Sequence, residues 1–140
     1  MLPDAKLKGN LAVMDVAHWY LKGNADAVEF CPYDSYLNVL AVSTYTLQEG
    51  SQPSRQGSIS LFNVDVDTPH LDLLFSEETA GIFDIKWSPP QGHVNPLLAQ
   101  ADADGYLRIK MLEGCCNGVE GMDLLLHSFL SYLISKLVFC

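Results

Sequence analysis

Apolar and polar positions alternate in two short stretches, AVEFC at residues 27–31 and FDIKW at 83–87, and this pattern predicts strands with one buried face. Prolines then end both, at Pro32 and at Pro89-Pro90, because proline has no donor for a ladder. Two further runs, VLAVSTYTL (39–47) and PLLAQAD (96–102), are more continuously apolar, as in strands covered on both faces. Alternation returns in SISLFNVD (58–65) and YLRIKMLE (106–113). Asp102-Ala103-Asp104-Gly105 reads as a tight turn joining two of these strands, with glycine where a positive φ costs little. In the first half the matching junction is lengthened by QEGSQPSRQ (48–56), which predicts a polar loop. HLDLLFSE (70–77) predicts a fourth strand bridging the halves, with LAVMDVAHWYL (11–21) as its counterpart before the first half.

The two halves are one sentence written twice. VEFCPYDSYLNVLA (28–41) and IKWSPPQGHVNPLLA (85–99) share an order: apolar, charged, aromatic, small residue, proline, polar spacer, asparagine and a short run ending in alanine. Three or four short strands per unit, at a period of roughly 50 to 57 residues, is the rhythm of propeller blades. The expected fold is therefore all-β: about two blades of an incomplete ring. Residues 1–26 form an N-terminal extension with the first outer strand, 27–113 the blades and 114–140 an atypical apolar tail. Such a pair is expected to associate with another chain or to have its bare face covered by the tail, since three or more repeats are generally needed for stability.

In that tail, Asp123, His127, Ser131 and Ser135 fall four apart, making a narrow polar stripe on an otherwise apolar helix. The uncharged core, 124–135, is shorter than the ~20 residues that span a bilayer. A helix packed on a hydrophobic surface is the preferred reading for 122–140, a membrane anchor the lesser one, and a segment unrelated to folding stands beside the first.

The apolar fraction of 49% and charged fraction of 18% describe a folded chain. With a net charge of −9 and only 8 lysines and arginines, scattered, no basic patch for nucleic acid exists. The acidity points to a solvated surface first and a basic partner second. The start MLPDAKLKGN lacks the apolar core of a secretory signal, so the cytoplasm is expected. Cys31, Cys115, Cys116 and Cys140 form no C-x-x-C pair, so zinc is not expected and the thiols are read as free.

VEFCP, VLAVSTYTL, GSISLF, FDIKW and LLAQADADGYLRI, in this order, resemble WD-repeat propellers, and NADAVEFCP followed by LAVSTYTL and FDIKW resembles the N-terminal part of the diphthine methyl ester hydrolase family. The resemblance runs over about residues 14–113, with Met14 near the family's usual start. The pattern departs from the signature: the third strands end LFNVD and RIKML, not in Trp-Asp, and Gly92-His93 follows a first strand, where the usual repeat does not place that pair. The resemblance implies removal of the methyl ester from methylated diphthine, on translation elongation factor 2 as partner, by a truncated form of the hydrolase. A non-catalytic propeller scaffold for protein partners is the alternative, since propellers host both.

Ester hydrolysis needs a nucleophile or activated water, a group to manage its proton and donors for the oxyanion. No catalytic residue is assigned by the sequence, and no cofactor or metal is expected. There is no G-x-S-x-G elbow. Asp102 and Asp104 read as turn-shaping acids, and Asp84 as a strand-face acid or a structural hydrogen-bonding group. His18, His70, His93 and His127 share no metal-ligand spacing. Vicinal Cys115 and Cys116 would strain any disulfide between them. Phe30, Phe83, Trp87 and Tyr106 are expected to be core aromatics.

Overall fold

In a computed structural model of the chain, residues 12–91 and 95–113 are described; the expected tail helix over 114–140 lies outside them. The described chain is all-β apart from one 3₁₀ turn and forms two antiparallel sheets of blade-like build. Sheet one has four strands in sequence order: β1 (Asn24–Phe30), β2 (Val39–Gln48), β3 (Ser54–Asp65) and β4 (His70–Ala80). Sheet two has three: β5 (Ile82–Trp87), β6 (Leu97–Asp102) and β7 (Leu107–Met111).

The repeat is expressed as strand pairing. Phe30 lies opposite Leu40 and Val28 opposite Val42 in sheet one; their counterparts Trp87 and Ile85 lie opposite Leu98 and Gln100 in sheet two. After each first strand the chain is tied back by the same bond: Cys31 N–H donates to Val39 O, and Ser88 N–H to Leu97 O, both at 2.8 Å. Each first strand also carries a bulge at the same point, between Ala25 and Ala27 and between Ile82 and Asp84. An extra residue there bends the inner strand and increases its twist.

The core lies between the sheets. Sheet one contributes Cys31, Tyr33, Val39, Ala41, Ile59 and Leu61, and sheet two Ile82, Ile85, Trp87 and Leu98, with Leu112 closing one end. Tyr45 and Phe83 stack with ring centroids 5.2 Å apart, a pairing worth about 1 kcal/mol beyond its buried area. Gly81, at the crossing between the sheets, donates to Arg55 O at 3.0 Å and accepts from Ala103 N–H at 2.7 Å. A Cβ on Gly81 would stand 2.5 Å from the Tyr45 ring, so the close packing there requires glycine.

Several expectations are corrected. Residues 12–21 form no strand: an outer strand needs an inner ladder to pair with, and none precedes β1 among the described residues. Instead this segment crosses sheet one, with Trp19 edge-on to Phe62 at 5.3 Å. The predicted polar loop 48–56 shrinks to a short turn, because Leu47 and Gln48 pair with Arg55 and Ser54; ladder bonds do not need apolar side chains. β4 belongs to sheet one as its outer strand. Of the four aromatics expected in the core, only Trp87 is there; Phe30, Phe83 and Tyr106 are 53%, 55% and 65% exposed. Phe30 shares the face of Leu40 and Phe62, away from sheet two.

Candidate functional site

Four polar groupings emerge from this frame, and they differ in which of their groups are free. The first is the seam between inner strands. Glu29 on β1 accepts from Lys86 Nζ at 2.7 Å and from the Trp87 amide at 2.9 Å, while the Trp87 indole N–H donates to Glu29 O at 3.1 Å. The Glu29 carboxylate beside it pushes the Lys86 ammonium up from its usual range. Beside it the Tyr33 hydroxyl donates to Pro89 O at 3.0 Å and lies 2.9 Å from Ser88 Oγ, which accepts from Leu97 N–H. Each such bond contributes about 1 kcal/mol. These residues clasp the sheets: each Glu29 carboxylate oxygen holds one donor of sheet two, and Ser88 is bonded to Tyr33 and the Leu97 amide.

The second grouping is the β6–β7 turn. Gly105 has φ +86° and donates to Asp102 O at 3.1 Å, the glycine geometry expected from the turn sequence. The fully buried Asp102 carboxylate accepts twice from Gln100 Nε2, at 2.9 and 3.1 Å, and pairs with Arg108 Nη1. Arg108 also grips Asp104 through Nη2 at 2.9 Å and lies over the Tyr106 ring. Both turn acids therefore fasten one arginine, Asp102 from full burial and Asp104 from the partly exposed turn. Asp84 accepts from the Ile85 amide at 2.9 Å.

At the β3–β4 hairpin, the third grouping, Asp65 accepts from the Asp67 amide at 2.9 Å and the Thr68 amide at 3.1 Å, and His70 follows the turn. His70 Nδ1–H donates to Thr68 O at 2.5 Å, and Nε2 lies 3.0 Å from Asp72 Oδ2. With an acceptor at each nitrogen the ring favours its doubly protonated form, and its pKa is raised, the Thr68 carbonyl being the main cause. His18, exposed, stands 3.7 Å from Asp15. His93 and His127, with Cys115, Cys116 and Cys140, lie outside the described residues. Cys31 is buried and free, and burial pushes its thiol up, away from the reactive thiolate.

The fourth grouping was not read from the sequence. On the face of sheet one turned away from sheet two, hydroxyls line up across strands: Thr44 Oγ1 is 2.9 Å from Ser58 Oγ, and Ser60 Oγ is 3.0 Å from Ser76 Oγ. Strand period alone puts them on one face, and cross-strand registry brings them together. With Lys22, Glu78 and Trp19 they line an open groove of 730 Å³. Its paired hydroxyls and the exposed Glu78 carboxylate suit a polar ligand held by hydrogen bonds. A signal was available in the alternate serines of SISLFN and the threonines of STYT, which a strand places on its faces at a spacing of two. Among the described residues no cluster of histidine, cysteine or acid has the geometry to hold a metal, and no helix is long and apolar enough to cross a membrane.

The architecture thus defines an all-β protein built of two blade-like antiparallel sheets clasped along their inner strands. Its sequence is similar to that of diphthine methyltransferase of the mouse, Mus musculus: 33% identical over 122 residues, covering 78% of this chain and 25% of that protein. The two are distantly related, and the chain spans about a quarter of the relative's length. No family model and no solved structure matches.

Proposed function

We propose that this chain belongs to a cytoplasmic carboxylic ester hydrolase of diphthamide biosynthesis, which removes the methyl group of methylated diphthine on translation elongation factor 2. The single observation that carries this reading is the relationship to diphthine methyltransferase over most of the chain. In the proposed reaction water adds to the ester carbonyl, the tetrahedral oxyanion collapses, methanol leaves and a carboxylate remains. The hydroxyl row of sheet one could supply donors to a polar group, with Glu78 as the neighbouring carboxylate.

Mass spectrometry of elongation factor carrying methylated diphthine, before and after incubation with the purified chain, tests the reading. Loss of a methyl group without any added methyl donor is the expected result. Gain of a methyl group from an added donor would turn the reaction round and make the chain a transferase, as the relative's name has it. Glu78→Gln should slow the loss if the groove takes part; an unchanged rate removes the groove from the proposal.

A second reading, a non-catalytic scaffold for protein partners, is favoured by one feature of the site. Among the described residues Ser88 faces Tyr33 and a backbone amide, and the Thr68 hydroxyl donates to Asp65 Oδ2 at 2.9 Å, a carboxylate that also accepts the Asp67 and Thr68 amides. Binding of the elongation factor with no change in its mass would support that reading.

A further inference from the structure

A hydroxyl side chain stands directly before proline at two places in the chain, Thr68-Pro69 and Ser88-Pro89. Proline offers no amide N–H and disfavours the helical region for the residue before it, so each dipeptide favours extended chain. A protein kinase takes its acceptor residue in extended chain, and one that accepts proline at the next position needs no partner for an amide there. In sequence the two dipeptides are equal candidates for such an enzyme; the fold separates them.

Ser88 is closed off. Its hydroxyl lies 2.9 Å from the Tyr33 hydroxyl and accepts from the Leu97 amide at 3.2 Å, and its own amide donates to Leu97 O at 2.8 Å. The residue before it, Trp87, is 4% exposed and belongs to the core between the sheets. Reaching a kinase would require Ser88 to leave the seam that Trp87 anchors.

Thr68 is open. It lies in the turn of residues 66–69 between β3 and β4, where Val66, Asp67, Thr68, Pro69 and His70 are all exposed. Its hydroxyl latches the turn, donating to Asp65 Oδ2 at 2.9 Å, while Oδ1 of the same carboxylate accepts from the Asp67 and Thr68 amides at 2.9 and 3.1 Å.

We propose that Thr68 is the acceptor of a proline-directed protein kinase, and that its phosphate releases Asp65 from the turn. In the transfer the bond from Thr68 Oγ1 to phosphorus forms as the bond from the γ-phosphorus of ATP to its bridging oxygen breaks; ADP leaves, and the hydroxyl proton passes to the carboxylate base of the kinase. The group that donated to Asp65 then has no proton to donate there and carries about −1.5 to −2 charge at pH 7. Asp65 and Asp67 flank it in the turn and Asp72 follows on β4, against the one cation this hairpin offers, His70, whose Nδ1 lies 3.4 Å from the hydroxyl. The proposal stands on the hairpin and is independent of the hydrolase reading.

Incubation of the full chain with a mitogen-activated protein kinase and ATP, followed by mass spectrometry of its fragments, provides the test. The expected result is a phosphoryl group at Thr68 and none at Ser88, with the label kept in Thr68→Ser and lost in Thr68→Val and Pro69→Ala. Should a variant fail to fold, the site mapped in the wild-type chain still decides. In the phosphorylated chain the protection of the Asp67 amide, measured against the unfolded chain at the same pH, should fall about tenfold, as loss of a bond to a charged acceptor predicts. A label at Ser88 or none at Thr68 overturns the proposal, as does a label that survives Pro69→Ala or an Asp67 amide whose protection the phosphate leaves unchanged.

Discussion

Sheets one and two share a register, a bulge and a tie-back bond, yet differ in nearly everything attached to that frame. Their first strands are joined to the second in the same way, and each bulge falls at the same step. Sheet one then runs through a long, polar β2–β3 hairpin whose outer end pairs beyond the core, and adds a fourth strand. Sheet two turns tightly at Gly105 around the buried Asp102 and its half-buried partner Arg108 and shows three strands among the described residues. What the repeat holds constant is therefore the pairing that places side chains on the seam; turn chemistry and outer faces are free to diverge. Three perturbations probe this difference.

The largest effect is expected at the shared seam. Trp87 is 4% exposed, packs among Ile59, Leu61 and Leu98, and donates its indole N–H to the Glu29 carbonyl. Trp87→Ala removes a large buried aromatic and leaves that carbonyl without its partner, so a loss of about 3–5 kcal/mol is expected. Because small domains hold only about 5–15 kcal/mol in all, urea denaturation should show the midpoint fall sharply. Phe30→Ala, at the equivalent position but on the outward face, should cost far less. Equal losses would break the distinction between the inner and outer faces.

A smaller effect is expected where the sheets differ. Arg108→Met strips the fully buried Asp102 carboxylate of its cation, leaving only the Gln100 amide, and should cost about 3 kcal/mol. Sheet one has no such pair at its own β2–β3 turn, where Glu49 to Pro53 are exposed, so substitutions there should leave the melting temperature nearly unchanged. Thermal unfolding of both variants checks the contrast. A loss at the β2–β3 turn as large as at Arg108 would show that turn chemistry does not separate the sheets.

Much of the frame was legible because period and punctuation report directly on it. Alternation in VEF and IKW, the prolines behind them, the apolar runs and Asp-Gly before β7 located all seven strands, β4 among them at 70–77, and the tight turn. The strand at 11–21 was misread because an apolar run reports burial and not its partner: Trp19 buries Phe62 without any ladder. The fate of Phe30 was hidden for a related reason. A strand alternates between two faces, and the sequence does not mark which of two apolar faces meets the neighbouring sheet. The hydroxyl row needed the cross-strand register, which no single strand contains; Thr44 and Ser58 are distant in sequence and adjacent only once β2 pairs with β3. The seam clasp likewise joins Glu29 to Trp87 across the whole repeat.

The smallest effect is expected at the β3–β4 hairpin, which is exposed and belongs to sheet one alone. His70 has its pKa raised above the usual 6.5, chiefly by the Thr68 carbonyl, with Asp72 and Asp65 adding to it. A raised value means that the protonated ring favours the folded hairpin: its contribution is complete below pH 6.5 and fades as pH climbs through the folded value. Asp65 has the opposite sign. The Thr68 amide and hydroxyl, then the Asp67 amide, hold its carboxyl below the usual 3.8, so its contribution is present above that pH and fades as pH falls through the lower folded value. The hairpin should thus be tightest between the two limits. Amide protection at Asp67 and Thr68, exchange measured against the unfolded chain at the same pH, should fall on both sides, and His70→Gln should flatten the alkaline limb while leaving the acid limb in place. The β6–β7 turn carries no histidine, so its protection should not respond in the alkaline window. A matching alkaline response at Gly105 would assign the change to the whole domain and not to His70.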